Sequence, residues 1–179
     1  MDPENIDRMF AKLRDETLPI GGSFVSPEGN VMIPFLCEAH PFVALYQPVA
    51  ANDELFQSTA NTVMADANHQ LSSNAYLMKF AAMPQWASGN LYAPLDGEPA
   101  IKQIIRHRIP QRLAKVTEHF LTEAPDADEL YFIPGGDGER TRYLNSWYSR
   151  VSDRYAVDQL GLSRIHLNHG NFWYGYRKA

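Results

Sequence analysis

Cysteine is nearly absent from this chain: its 179 residues include one, Cys37. A single thiol forms no intramolecular disulfide, which excludes the disulfide-stapled class of small domains and fits a reducing compartment. Long apolar runs are missing as well. Nothing approaches the roughly 18 consecutive apolar residues that a membrane span needs. The opening MDPENIDRMFAKLRDE is charged and amphipathic, where a secretory signal is basic and then apolar. A soluble, cytoplasmic protein with no membrane partner is therefore expected. No internal repeat, low-complexity tract or linker rich in Gly, Ser or Pro divides the chain. With 45% hydrophobic residues it has material for one core, so residues 1–179 are expected to form a single domain.

Acidic residues are absent from one stretch. Lys102 to Lys115 carries five basic groups and no acid. The net charge of -5 conceals this asymmetry: residues 1–101 hold four basic groups against twelve acids, and residues 102–179 hold twelve against nine. A basic face through Arg106, Arg108, Arg112 and Lys115 is a candidate surface for a protein or nucleic-acid partner. The plainer alternative is that the two halves neutralise each other at the surface.

What is present is a regular succession of helix and strand signals. Asp2-Pro3-Glu4 starts a helix, and Ile6, Met9, Phe10 and Leu13 give it an apolar stripe as far as Thr17. GGSFVSPEGNVMIPFL has the pattern of a hairpin turning at Pro-Glu-Gly-Asn, and PFVALYQP is a further short strand. Asn52 or Asp53 caps a helix running to about Gln70. AYLMKFAAM, within 75–83, fits helix or strand equally, and NLYAPL fits a strand. A long helix is expected over 98–122, with Ile101, Ile104, Ile105, Ile109, Leu113, Val116 and Phe120 on its buried face and a kink at Pro110. LYFIP is a short buried strand. A second long helix covers 138–160, with Leu144, Trp147, Tyr148, Val151 and Tyr155 on one face, and Gly161 ends it. SRIHL and NFWYGYRK close the chain as strands. This alternation predicts an α/β or α+β single-domain sandwich with a mixed central sheet and flanking helices.

Three sets of residues suggest chemistry. PGGDGER, at 134–140, resembles a phosphate cradle but lacks both the Gly-Lys-Ser/Thr ending of a P-loop and the third glycine of a dinucleotide fingerprint, whose place Thr141 takes. Asp137 and Glu139 suit a helix start, so the stretch reads first as a strand-to-helix turn. Arg142, Arg150 and Arg154 recur at multiples of four and form either a phosphate-facing stripe or a solvated one paired with Glu139 and Asp153. Cys37-x-x-His40 and His166-x-x-His169 have zinc-ligand spacing within each pair, but they lie far apart and lack glycine-rich knuckles, so zinc is not expected. Cys37 with His166 or His169 as base and Asn168 as orienter is a nucleophile arrangement on paper, against the plainer reading of an inert buried thiol. The tail HLNHGNFWYGYRKA interleaves aromatics with Arg177 and Lys178, as a single-strand binding surface does and as a terminal sheet strand also does.

From about residue 90 the element order resembles that of the GCN5-related N-acetyltransferase family. NLYAPL takes the place of the central strand, 98–122 of the following helix, ELYFIP of the next strand, and 138–160 of a helix leading through DQLGLSRI to the closing strands. The resemblance implies acyl-CoA as the cofactor and a phosphate-bearing ligand. Gly136, Gly138, Arg142 and Arg150 are then candidate contacts to it, and Tyr155, His166, Glu139 and Glu98 candidate acids and bases. The family's pyrophosphate loop, Q/R-x-x-G-x-G/A, would follow the central strand, where this chain has LDGEPA. Its general-acid tyrosine would fall at Val157, two positions from Tyr155. The competing expectation is a non-catalytic interaction protein that uses the basic helix and the aromatic tail.

Overall fold

In a computed structural model, the chain is described over residues 8–14, 16–51, 54–83, 108–133, 152–167 and 173–179. The glycine- and proline-punctuated stretch after Pro19 forms the expected hairpin. Strands β1 (Phe24–Val25) and β2 (Val31–Cys37) are antiparallel. Their turn closes where Gly29, at φ 83°, donates its amide to the Ser26 carbonyl at 2.9 Å. β3 (His40–Pro48) pairs with β2 along its whole length through a two-residue turn. That turn places Glu38 (φ 51°) and Ala39 (φ 64°) in the left-handed region.

A single 3-10 turn, Val49–Ala51, leads into helix α1 (Glu54–Asp66), which ends with Asn68 at φ 51°. Residues that fitted helix or strand equally are a strand, β4 (Ala75–Ala82). Helix α2 (Ile109–Glu123) precedes β5 (Glu129–Phe132), and β6 (Ser163–Ile165) and β7 (Tyr174–Arg177) finish the chain.

The seven strands form one mixed sheet in the order β1-β2-β3-β4-β5-β7-β6. Every neighbouring pair is antiparallel except β4 and β5, which are parallel. A parallel pair requires a crossover, and α2 lies within it. Period-two alternation sends side chains to two cores. One side gathers Ile33, Phe35, Ala44 and Tyr46 under Val116 and Phe120 of α2. The other gathers Ala75, Leu77, Tyr131 and Ile165 against Val63 and Met64 of α1. The molecule is thus an α+β fold on a single sheet, as the alternation of elements predicted. Among the described residues, no helix is long and apolar enough to cross a membrane.

Three local expectations change. The N-terminal helix does not reach Thr17: residues 8–10 are helical, residues 11–12 turn, and Arg14 and Leu18 exchange backbone hydrogen bonds of 2.9 and 2.8 Å. Pro19 cannot extend a helix, and this reversal buries Leu13 instead. Pro110 does not kink α2 but sits in its first turn, where a missing amide costs nothing. Helical residues at 152–156 give way to turns at 157–160 before Gly161, at φ 65°, whose amide reaches the Val157 carbonyl at 3.1 Å. The expected strand NLYAPL, residues 98–107, and the helix from 138 to 151 lie outside the described residues.

Candidate functional site

The centre of the sheet comes apart in a defined way. β4 pairs with β3 as far as Ala82 opposite Phe42. With β5 it pairs only through Ala75, Tyr76 and Leu77, opposite Glu129, Leu130 and Tyr131. The next residue of β5, Phe132, pairs with Tyr174 of β7, and the two rings stack at 4.8 Å. Among the described residues Met78–Ala82 therefore have no strand partner on the β5 side. Open sheets bind ligands at the carboxyl ends of parallel strands, where chain direction switches, and this is the one such place here.

A cavity of about 90 Å³ lies at the gap, between α2 and helical residues 152–156. Its walls include Leu113 and Ala114 of α2, Leu130 and Phe132 of β5, and Leu160 and Leu162 beyond the second helix. Five hydroxyl-bearing residues border it: Thr117, Tyr131, Ser152, Tyr155 and Tyr176. The Thr117 hydroxyl is engaged at 2.9 Å with that of Tyr46, a fully buried ring stacked on Phe120 at 3.9 Å. Burial pushes the Tyr46 hydroxyl pKa well above its ordinary range, against a smaller opposing effect of the Thr117 bond. Tyr176 donates toward Asp153 Oδ1 and lies equally close, at 2.8 Å, to Ser152 Oγ. Asp153 Oδ2 accepts from Arg164 at 2.5 Å. Burial is the main cause that raises the Tyr176 pKa as well. The Tyr155 hydroxyl has no hydrogen bond within the described residues, and the Arg154 guanidinium stands 5.9 Å from its ring centre.

The start of α2 borders the same cavity through Pro110. Its N-cap, Arg108, supplies no side-chain cap, and its first turn holds no acid. The positive end of the helix dipole thus lies beside Arg108 and Arg112. Arg108 pairs with Glu38 at 3.3 Å, but both side chains are more than half exposed, so this pair holds the arginine weakly.

Of the residues proposed from sequence, Tyr155 reaches the cavity and His166 does not. His166 is exposed in a shallow depression with Asp153, Asp158 and Arg164. Glu98, Glu139, Gly136, Gly138, Arg142, Arg150 and Arg106 lie outside the described residues. Cys37 and His40 face each other in register across the β2–β3 turn, with the thiol buried. Among the described residues no group of three or more His, Cys, Asp or Glu gathers as a metal site. The tail is largely taken up by the sheet: Tyr176 is 3% exposed, and Trp173 meets the Tyr131 ring edge-on.

Compared with protein-family models, curated proteins and solved structures, the chain matches none. The site is therefore interpreted from its own geometry. Sequence reasoning missed the cavity walls Met78, Thr117 and Phe132: β4 had no unambiguous signal to place Met78, and local patterns do not show that α2 and β5 bring Thr117 and Phe132 to it. It also missed a buried carboxylate on the α1 side of the sheet. Glu129 accepts from Ser72 N at 3.1 Å and Tyr131 at 2.8 Å, and it lies 2.8 Å from His69 Nε2. This cluster is at the β4–β5 seam, on the sheet face opposite the cavity, and it ties the seam together.

Proposed function

We propose that the chain is an acyl-CoA-dependent N-acyltransferase-like domain, with its thioester site in the gap between β4 and β5. The observation that carries this reading is the parting of the parallel pair β4–β5 beside a cavity that holds a tyrosine hydroxyl with no hydrogen bond among the described residues. The order α2, β5, helical residues 152–156, β6, β7 also follows the succession implied by the acetyltransferase resemblance, whose expected central strand, NLYAPL, lies outside the described residues. The start of α2, with the positive end of its dipole beside Arg108 and Arg112, suits the phosphates of the same ligand.

In this reading an acceptor amine attacks the thioester carbonyl carbon. The C–N bond forms and charge develops on the carbonyl oxygen, which hydrogen-bond donors lining the gap stabilise. A base takes the amine proton. The C–S bond then breaks, and the Tyr155 hydroxyl delivers a proton to the departing thiolate. Glu98 and Glu139 are the base candidates.

A ligand that binds only the folded state raises the melting temperature. CoA and acetyl-CoA at millimolar concentration are expected to do so, and no shift with either defeats the proposal. Tyr155→Phe is expected to lower turnover about 100-fold, measured as CoA thiol release with a panel of amines, while the melting shift with CoA persists.

A further inference from the structure

The cavity has one chemical character throughout its depth. Apart from the five hydroxyl-bearing residues, its walls among the described residues are hydrocarbon or aromatic: Met78 from β4, Leu113 and Ala114 from α2, Leu130 and Phe132 from β5, and Leu162. Four of those hydroxyls are already engaged, Tyr131 with Glu129 at 2.8 Å and Tyr176 with Asp153 at 2.8 Å among them. Thr117 Oγ1 bonds Tyr46 at 2.9 Å and lies 3.7 Å from the Met78 sulfur, and Ser152 Oγ is 2.8 Å from the Tyr176 hydroxyl. A charged group placed against those walls would lose its water and find only the Tyr155 hydroxyl uncommitted among the described residues, at a large cost. An apolar group would meet its match, since dry cavities lined by such side chains bind hydrocarbon.

From this we infer that the cavity is an acyl-chain pocket, and that the preferred thioester carries a linear hydrocarbon acyl group longer than acetyl. The inference rests on the acyl-CoA reading above. An acetyl group offers one methyl to a space of about 90 Å³ and leaves most of the wall uncovered. Each added methylene removed from water strengthens binding by about fourfold. Acyl groups ending in a carboxylate, such as succinyl, are disfavoured by the same walls. Ala114 is the specificity position, because its methyl faces the cavity from the middle of α2 and a larger side chain there occupies the chain's space.

The test is a set of dissociation constants, by isothermal titration of the whole chain with CoA, acetyl-CoA, butyryl-CoA, hexanoyl-CoA and succinyl-CoA. The expected result is a steady rise in affinity from acetyl to hexanoyl of at least tenfold, with succinyl no tighter than acetyl. Ala114→Leu is expected to reduce the ratio of hexanoyl to acetyl affinity to below threefold. Ala114→Phe serves as a second, larger filling, with far-ultraviolet circular dichroism checking that each variant folds. Equal affinities for acetyl and hexanoyl thioesters overturn the acyl-chain inference and leave the acyltransferase reading intact. Absence of binding by CoA and all its thioesters overturns both. A ratio unchanged in both folded Ala114 variants overturns the assignment of the chain to this cavity.

Discussion

Gly175 of β7 lies opposite Tyr131 of β5, and a Cβ added there would stand 2.6 Å from the ring carbon Cε1 and 3.2 Å from Ile165 Cβ. The tyrosine ring covers the bare backbone of the glycine, so the smallest residue and one of the largest form a single packing unit. Gly175→Ala is expected to destabilise the fold by about 1–3 kcal/mol through overpacking, read as a lower urea midpoint at unchanged slope. The penalty should shrink in a Tyr131→Leu background, as a coupled pair requires; a fully additive double mutant contradicts this account. Tyr131 also belongs to a group of three buried tyrosines. Burial raises the hydroxyl pKa of Tyr46, Tyr131 and Tyr176, and for Tyr131 the bond to Glu129 and that carboxylate's charge add to the effect. The sign follows directly: these folded-state values exceed the unfolded one near 10, so the unfolded chain releases protons first. Their contribution is complete below about pH 10 and is lost as pH rises above it, with each group adding up to about 1.4 kcal/mol per pH unit to the decline. Urea unfolding between pH 8 and pH 11 should show this decline, and Tyr46→Phe should make it shallower. A flat profile to pH 11 speaks against the burial of these hydroxyls.

At the level of elements, the β2–β3 connection shows where sequence signals fail. Cys-Glu-Ala-His carries none of the Asn-Gly or Asp-Gly chemistry that marks a tight hairpin, yet both central residues have positive φ. The full-length antiparallel pairing of β2 with β3 imposes the turn, and the turn residues bear the strain. A left-handed non-glycine residue costs roughly 1–2 kcal/mol, and glycine returns part of this as unfolded-state entropy. Ala39→Gly is therefore expected to stabilise the protein by about 0.5–1 kcal/mol in urea titration; destabilisation would mean that the turn is not strained as described. A similar conflict hid β4. Ala, Leu, Met and Lys in AYLMKFAA favour helix, but β3 on one side and β5 on the other make a strand of it, so tertiary pairing overrides propensity. By contrast α2 was legible, because Ile109, Leu113, Val116 and Phe120 recur at helical steps and all are buried. Pro110 was recognised as disruptive but placed in a helix interior, when the same residue type also favours a first turn.

For the molecule as a whole, the sheet consists of two antiparallel blocks joined at one seam. β1 to β4 form the first block, and β5, β7 and β6 the second. β4 matches seven residues with β3 but three with β5, so the seam is the shortest pairing in the centre of the sheet. This division was not legible in the sequence, because strand order is decided by pairings between distant segments and local patterns carry no record of them. The seam has physical compensation on one face, where Glu129 is bonded by Ser72 and Tyr131 and approached by His69. On the other face it has the cavity. Sub-global opening should follow this asymmetry. In native-state hydrogen exchange, amides of β2 and β3 are expected near the global limit, with those of β5 and β7 exchanging together at a lower free energy. A CoA thioester bound in the gap touches both blocks, so it should slow β5 and β7 more than β2 and β3 and bring the two classes closer. If all strands exchange as one unit in the free chain, the seam is not a weak point. If bound ligand slows both blocks equally, the ligand does not bridge them, and the site must be sought away from the gap.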